Sequence, residues 1–494
     1  MSLTLGASAL PMLSGRLFRA KESVKSNILF LAVDDLRPQL GCYGHTKMIS
    51  PNIDRIAEMG TTFARAYCNV PVCGASRASL LTGLYPTRSR FTEAHSKAQT
   101  DAPDAMSMQT HFKSNGYHTI SNGKIYQHVT DYVDGWSEKP WRPNGDWWGW
   151  QAYLAEESKE VIRQQIARGN GAPGPFYKVE NEPGKYHALP GLGLVKSGPA
   201  YEAPDVADND YPDGMLADKV ILDLQNLKDQ SEPFFLAAGF VKPHLPFAAP
   251  KKYWDFYDRN QIDLADNPFR PQGAPDEALH NWPELRSYAG IPAQGPLDDE
   301  LARTLIHGYY ACVSYTDAQI GRILDELERL DLAKNTIIVL WGDHGWNLGE
   351  HGLWCKHATF ETSLHSPLLV SSPEYQGGQV SNALTEFVDI YPTLCELAGL
   401  DVPAGLHGKS LVPLMQNPDQ EWKQMVYSRY KNGESIKTDH YRYTEYYDDN
   451  GNMTSRMLYD HRTDPHENVN IVERPENKNL VSELTQKLGT YIRN

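Results

Sequence analysis

Apolar residues run without interruption from Ile28 to Val33 and stop at two acids, Asp34 and Asp35. A short run with no polar break predicts a strand buried on both faces, as in a parallel sheet covered by helices on either side. The same texture returns at 233–240, at 335–341 just before Asp343, and at 368–370. Between these runs the period lengthens. Pro51–Met59, opened by Ser50, puts Ile53, Ile56 and Ala57 on one face. Residues 213–228 and 386–398 have a similar stripe, and 298–330 carries Leu301, Leu305, Tyr309, Val313, Ile320, Ile323, Leu324 and Leu327 at helical spacing. These segments predict amphipathic helices. Strands alternating with helices predict an α/β fold built on a mainly parallel sheet, with site residues on loops at the strands' carboxyl ends.

The period is lost over 126–210, where Trp136, Trp141, Trp147, Trp148 and Trp150 crowd a stretch rich in Gly, Pro and Tyr. Aromatics there line a sugar-binding cleft or pack down irregular loops, and the pattern alone leaves both open. After Leu414 the texture changes again. Short polar-aromatic runs at 425–427, 435–437, Tyr441–Tyr447 and 456–459, with turns at Asn432-Gly433 and Asn450-Gly451, predict an antiparallel sheet, and 479–492 a helix packed on it. The expected division is a catalytic α/β domain over 26–414 and a small C-terminal subdomain over 415–494. Residues 1–25, with an apolar stretch from Leu3 to Leu13 ahead of Arg16 and Arg19, look like the remnant of a secretory signal or an appended tail. They point to a periplasmic or secreted protein.

Charge narrows the partners. Lys and Arg number 47 against 62 Asp and Glu, a net charge of -15, which argues against nucleic acid and against general attraction to polyanions. An anionic substrate would need local positive charge, from a divalent cation and a few basic side chains. With 40% hydrophobic and 22% charged residues the composition is that of a soluble globular protein, and no apolar run is long enough to span a membrane. The cysteines (Cys42, Cys68, Cys73, Cys312, Cys355 and Cys395) are too scattered for a disulfide scaffold, although Cys42 and Cys68 could pair.

Taken singly, the polar candidates are ambiguous. Cys73 is a small buried hydrophobe, or a thiolate favoured by Arg77 and a helix N-terminus, with Ser76 and Ser79 as candidate caps. Asp34-Asp35 and Asp343-His344 cap the helices that follow their strands, or converge on a hard divalent ion. The segment Cys73-Gly74-Ala75-Ser76-Arg77-Ala78-Ser79-Leu80-Leu81-Thr82-Gly83 resembles the activation motif of the type I sulfatases, Cys-x-(Pro/Ala)-Ser-Arg-x-x-x-(Leu/Ile)-Thr-Gly, with Ala75 where Pro is commonest. Further resemblances are Gly123-Lys124, Lys242-Pro243-His244-Leu245-Pro246-Phe247, Lys356 after Gly349-Glu350-His351-Gly352, and the terminal Leu458-Tyr459-Asp460, Asp464-Pro465 and Glu467-Asn468. Within the family, Val33-Asp34-Asp35-Leu36-Arg37-Pro38 and Asp343-His344-Gly345-Trp346-Asn347-Leu348-Gly349-Glu350 look most like the iduronate-2-sulfatase branch and related bacterial polysaccharide sulfatases.

The resemblance implies an alkaline-phosphatase-like fold and a sulfuric ester hydrolase. It implies that a formylglycine-generating or anaerobic sulfatase-maturating enzyme converts Cys73 to Cα-formylglycine, whose hydrate attacks sulfur. Asp34, Asp35, Asp343 and His344 would bind calcium together with residue 73 (Cys73 in its converted form), with Arg77 orienting that residue and Lys124 and Lys356 holding the sulfate. His244 would protonate the leaving oxygen. His128, fourth after Lys124 where the family histidine usually stands second or third, would act as base. Trp346, Arg90 and His95 are candidate sugar contacts. The implied substrate is a sulfated polysaccharide or oligosaccharide, with 2-O-sulfated uronic acid the nearest guess. Two other readings remain open. One is a phosphoester or phosphonate monoester hydrolase of the same superfamily, against which the scarcity of a second Asp-x-x-x-His set counts. The other is a catalytically silent, calcium-dependent glycan binder that keeps Cys73 unmodified.

Overall fold

The computed structural model describes residues 25–143, 153–167, 197–281 and 283–492. The leader-like stretch and Trp147, Trp148 and Trp150 lie outside them. At the centre is a seven-stranded sheet of β1 (Asn27–Val33), β2 (Thr61–Tyr67), β3 (His118–Gly123), β4 (Phe234–Phe240), β5 (Thr336–Gly342), β6 (Leu368–Ser371) and β7 (Gln379–Glu386), in the order β7-β2-β6-β5-β1-β4-β3. All neighbours pair in parallel except at β6, which runs antiparallel to both β2 and β5.

Every residue of β1 is buried, and alternate positions feed two cores. Leu29, Leu31 and Val33 pack with α1 (Pro51–Met59), α4 (Pro212–Leu227) and α5 (Asp299–Arg329). Ile28, Phe30 and Ala32 pack with α2 (Cys73–Thr82) and α6 (Ile390–Leu397). An uninterrupted apolar run is what a strand with helices on both faces requires.

Several sequence signals resolve differently in three dimensions. β3 reads His-Thr-Ile-Ser-Asn-Gly, yet all but the first residue are buried, because Asn122 bonds Asp223 at 2.7 Å and the Thr119 hydroxyl bonds the Gly135 carbonyl at 3.0 Å. Satisfied polar groups can line a core without leaving an apolar pattern. The region 126–210 contains α3 (Glu156–Ala167), a 12-residue helix, in addition to loops. Trp136 is 4% exposed within the core, and Trp141 is half-buried with its backbone extending the sheet beside Ser121 and Gly123. These two described tryptophans therefore pack. Ser50 precedes α1, but its hydroxyl accepts from the Gly41 amide at 3.0 Å. The start of α1 is capped instead by Asp317 of α5, which accepts from the amides of Asn52 and Ile53 at 2.9 and 2.7 Å. All six cysteines are free, so Cys42 and Cys68 do not pair.

The C-terminal unit is an antiparallel sheet of β8 (Met425–Tyr430), β9 (Gly433–Thr438), β10 (Tyr441–Tyr447) and β11 (Met453–Asp460) in sequential order. Helix α7 (Lys478–Ile492) packs Val481, Leu484 and Leu488 against Ile436, Tyr443 and Leu458. A polar network ties this unit to the chain that follows the central sheet's β5: Arg442 of β10 pairs with Glu361 at 2.5 Å and with Glu467 at 3.3 Å, and Glu467 meets His461 at 2.9 Å. Burial works against charge on these two carboxyls. Arg442 beside Glu361, and His461 with Arg442 beside Glu467, outweigh it and hold both below the usual carboxylate range. A carboxyl lowered in the folded protein stabilises the fold above its unfolded value of about 4.3, and that contribution is lost as pH falls through the folded value. The melting temperature of the wild type should exceed that of Arg442→Met at neutral pH, and the gap should close as pH drops below about 4. A gap that stays constant down to pH 2 would show that the network contributes nothing through these charges.

Candidate active site

Parallel strands that end in register place their following residues side by side. Val33 of β1 lies opposite Phe240 of β4 and Gly342 of β5, and Gly123 of β3 lies opposite Gly239. Asp34-Asp35, Lys124, the 242–246 turn and Asp343-His344 therefore emerge on one rim of the sheet. Asp34, Asp35, Asp343 and His344 are completely buried there. Asp35 takes a left-handed backbone, φ 59°, which costs a non-glycine residue energy and needs support from its surroundings. Its amide donates to Asp343 Oδ1 at 3.0 Å, and its carbonyl accepts from the Tyr309 hydroxyl of α5 at 2.9 Å. The Tyr309 oxygen in turn accepts from the Arg37 amide at 2.9 Å.

Cys73 opens α2 with 4% of its surface exposed, and no side chain caps the helix. Ser76 instead donates to the Asp343 carbonyl at 2.5 Å and Ser79 to the Leu84 carbonyl at 2.7 Å, so neither serves as the expected cap. The positive end of the helix faces the acid cluster. A Cβ added at Gly74 would stand 2.1 Å from the Ala94 carbonyl oxygen, so the turn at 93–96 lies directly on the first turn of α2. Burial pushes the Cys73 thiol up to about 12, even with Lys124 and Lys356 pulling the other way. As a thiol this residue is not an activated nucleophile. Its Sγ lies 3.2 Å from His344 Nε2 and 3.9 Å from Asp35 Oδ1.

Arg77, one turn along α2 and fully buried, stitches the rim together. Its Nε donates to Asp343 and its Nη2 to Asp34, each at 3.0 Å, and its Nη1 to the carbonyls of Lys124 and Ile125. Lys124 Nζ meets Asp34 Oδ2 at 2.5 Å. The preceding Gly123 has φ 73°, and a Cβ there would lie 2.2 Å from the Gly239 carbonyl, so this approach of β3 to β4 requires glycine. Lys356 Nζ lies 3.0 Å from Asp35 Oδ1 and 4.8 Å above the ring of Trp346. Trp346 is fully buried, so it bears on the site through Lys356 and through His244, 6.4 Å from its ring.

His244 Nδ1 faces the Leu245 carbonyl at 2.7 Å, and a carbonyl only accepts, so this nitrogen carries a proton. Its Nε2 faces Glu284 Oε1 at 3.0 Å and Asp35 Oδ2 at 3.7 Å. Burial, reinforced by Lys356, lowers its pKa against the pull of Glu284 and Asp34. A ring with acceptors at both nitrogens, in surroundings that make it give up its second proton, suits a general acid. His344 Nδ1 likewise donates to a carbonyl, that of Gly345 at 2.9 Å, which leaves Nε2 free to act as a ligand towards Cys73 and the acids.

Of the remaining candidates, His128 joins the cluster through no hydrogen bond or ion pair among the described residues. Its Nε2 donates to the His95 carbonyl at 3.2 Å, and the two rings lie 5.6 Å apart beside the 93–96 turn. Arg90 donates to the Tyr85 carbonyl at 2.7 Å, and His95 is exposed. Sequence reasoning missed Glu284 and Tyr309 as site residues. Glu284 sits in the single helical turn Pro283–Arg286 within an irregular stretch, where no pattern announces it. Tyr309 reads as one more apolar position of a helix.

Asp34, Asp35, Cys73 and His244 each bring an atom within 4.8 Å of the others, as do Cys73, Asp343 and His344. Burial, with Cys73 and Asp34 adding to it, drives Asp35 well above the usual range despite Lys356. Buried carboxylate oxygens converging this closely suit a hard divalent cation. The third group of this kind among the described residues, Glu361 with His461 and Glu467, already holds the Arg442 guanidinium.

The family model described as Sulfatase matches residues 26–400, and that of the N-sulphoglucosamine sulphohydrolase C-terminal region matches 349–494. Human iduronate 2-sulfatase is 34% identical over 414 residues, covering 76% of this chain and 70% of the relative. The fold is shared with a 2-O GAG sulfatase (TM-score 0.68, 22% identity, 95% of this chain and 92% of the other). It is shared equally with the phosphonate monoester hydrolase of Silicibacter pomeroyi (TM-score 0.70, 21% identity, 94% and 95%). The architecture is thus the mainly parallel, alkaline-phosphatase-like sheet with a C-terminal four-stranded antiparallel sheet. With the family match covering most of its length and the activation segment buried among strand-end acids and lysines, the chain belongs to the sulfatase family and is a hydrolase of sulfate esters.

Proposed function

We propose that this sulfatase removes O-sulfate groups from a sulfated carbohydrate, a 2-O-sulfated uronic acid within a polysaccharide or its oligosaccharides, using formylglycine at position 73 and calcium. The observation that carries the proposal is the placement of residue 73, in contact with His344 and Asp35 on a rim that also presents Lys124 and Lys356. The substrate rests on likeness to human iduronate 2-sulfatase. When present, formylglycine supplies an aldehyde hydrate as nucleophile and calcium supplies Lewis acidity towards a sulfate oxygen. Asp34, Asp35, Asp343 and His344, with residue 73, would hold the ion. Lys124 and Lys356 bind sulfate oxygens and offset the charge that grows on them. Arg77 fixes the acids relative to residue 73. His244 delivers its proton to the departing sugar oxygen, and His128 serves as base from the neighbouring turn. Maturation of Cys73 needs a partner enzyme, and the leader-like start of the chain fits work outside the cytoplasm.

The test pairs chemistry with mass. Peptide mass spectrometry of enzyme co-expressed with a maturase should find residue 73 about 18 Da lighter than cysteine. That enzyme should release sulfate from a 2-O-sulfated uronyl disaccharide, lose activity on chelation and regain it with calcium. Faster turnover of an aryl phosphonate monoester than of any sulfate ester would overturn the reading, and release of 6-O-sulfate alone would overturn the 2-O assignment. Lys356→Ala should lower kcat/KM by about 10²–10³ through loss of one oxyanion contact.

A further inference from the structure

Glu284 is a carboxylate in a pocket meant for an anion. Its Oε1 takes up 2.7 Å from Lys356 Nζ and 3.0 Å from His244 Nε2, the two groups assigned to the sulfate and to the leaving oxygen. The side chain is 16% exposed, and its Oε2 accepts no hydrogen bond among the described residues. It contributes no ligand to the acid cluster. We infer that Glu284 is a specificity-determining residue, which tunes the charge of the pocket to a singly charged sulfate ester and against doubly charged anions, including the inorganic sulfate released. The inference rests on the proposed sulfatase site.

The charge count supports it. Around a divalent ion, Asp34, Asp35 and Asp343 are balanced by Arg77, Lys124 and Lys356, so with the imidazoles left aside the ion's two charges remain. Glu284 removes one of them. Burial opposes its ionisation, but the ion pair with Lys356 at 2.7 Å and the contact with His244 at 3.0 Å favour the charged form and hold its carboxyl well below the usual range. A sulfate ester carries one negative charge and neutralises what is left. Inorganic sulfate carries two, as does a phosphate monoester above its second ionisation, and each would leave an excess negative charge in a buried site. Ester hydrolysis raises the charge on the bound sulfur group from one to two. The same carboxylate that tolerates the substrate therefore repels the product. A fixed charge acts on a dianion with twice the energy it exerts on a monoanion at the same place.

Inorganic sulfate and methyl sulfate test this, because both keep their charge across the working pH range. On calcium-loaded enzyme, calorimetric binding and inhibition of disaccharide desulfation are measured for the wild type, Glu284→Gln and Glu284→Asp. Glu284→Gln should bind inorganic sulfate about tenfold more tightly than the wild type, but methyl sulfate only about threefold, the two-to-one ratio of logarithms that charge alone produces. Glu284→Asp, which keeps the charge, should keep the wild-type selectivity between the two anions. Equal shifts for both anions, no shift, or weakened binding of both would overturn the inference; the last would mark Glu284 as a support for Lys356. The calorimetric comparison needs no turnover, so a wild type that binds both anions yet fails to desulfate the disaccharide would sink the proposed substrate and still decide the role of Glu284.

Discussion

Cys73→Ala is expected to abolish sulfate-ester hydrolysis, by a factor of about 10⁴ or more, and to leave the fold intact. The substitution removes one sulfur atom from the start of a fully buried helix and changes none of the contacts that set the rim. Arg77 still reaches Asp34 and Asp343, Lys124 still meets Asp34, and Lys356 still meets Asp35. The acids and His344 remain, so calcium should still bind the variant in calorimetry, and the melting temperature should move little. What disappears is the only precursor of the nucleophile in the activation segment. A Cys73→Ala enzyme with even one per cent of wild-type kcat would show that sulfur is attacked by something other than residue 73. It would also revive the reading of the site as that of an ordinary metal-assisted hydrolase.

Arg77→Met should be the most destabilising single change in the site. The guanidinium is fully buried and bonded to two carboxylates and two carbonyls from three strand ends. Methionine fills much of the volume and satisfies none of those acceptors, so Asp34 and Asp343 lose their partner in a place water does not reach. Breaking a buried pair in this way costs about 3–5 kcal/mol. Lysine would not restore it, since one ammonium cannot span acceptors that a planar fork reaches together. Chemical denaturation measures the loss, and a difference of less than about 1 kcal/mol would contradict the buried-pair account. Added calcium should stabilise Arg77→Met more than it stabilises the wild type, because the ion would supply charge that the carboxylates now lack.

The strands that carry the acids were legible in the chain because burial on both faces leaves a pure apolar run, and Asp34 and Asp343 interrupt it abruptly. The activation segment was legible because its chemistry constrains residue types over consecutive positions. β3 was not, since Thr119, Ser121 and Asn122 are buried polar residues, the Thr119 hydroxyl bonded to the Gly135 carbonyl and the Asn122 amide nitrogen to Asp223. Ser50 and Ser76 stood where caps are expected, but each hydroxyl found a tertiary partner first. Glu284 lies 72 residues from Lys356, and only the folded chain brings them together. Local rules see propensity, whereas this site is made of long-range pairings.

The depth at which Cys73 lies fixes an order in time. With 4% of its surface exposed and the turn at 93–96 seated on the first turn of its helix, Cys73 presents little of itself to another enzyme once the described residues are folded. Its neighbour His344 follows it by 271 residues. At a ribosomal pace of about 5–20 residues per second, the activation segment is made roughly 15–50 seconds before the strand that closes over it. An enzyme that converts Cys73 as proposed would therefore work on a nascent or still-unfolded chain, and the speed of folding would limit how much of each batch of protein becomes active.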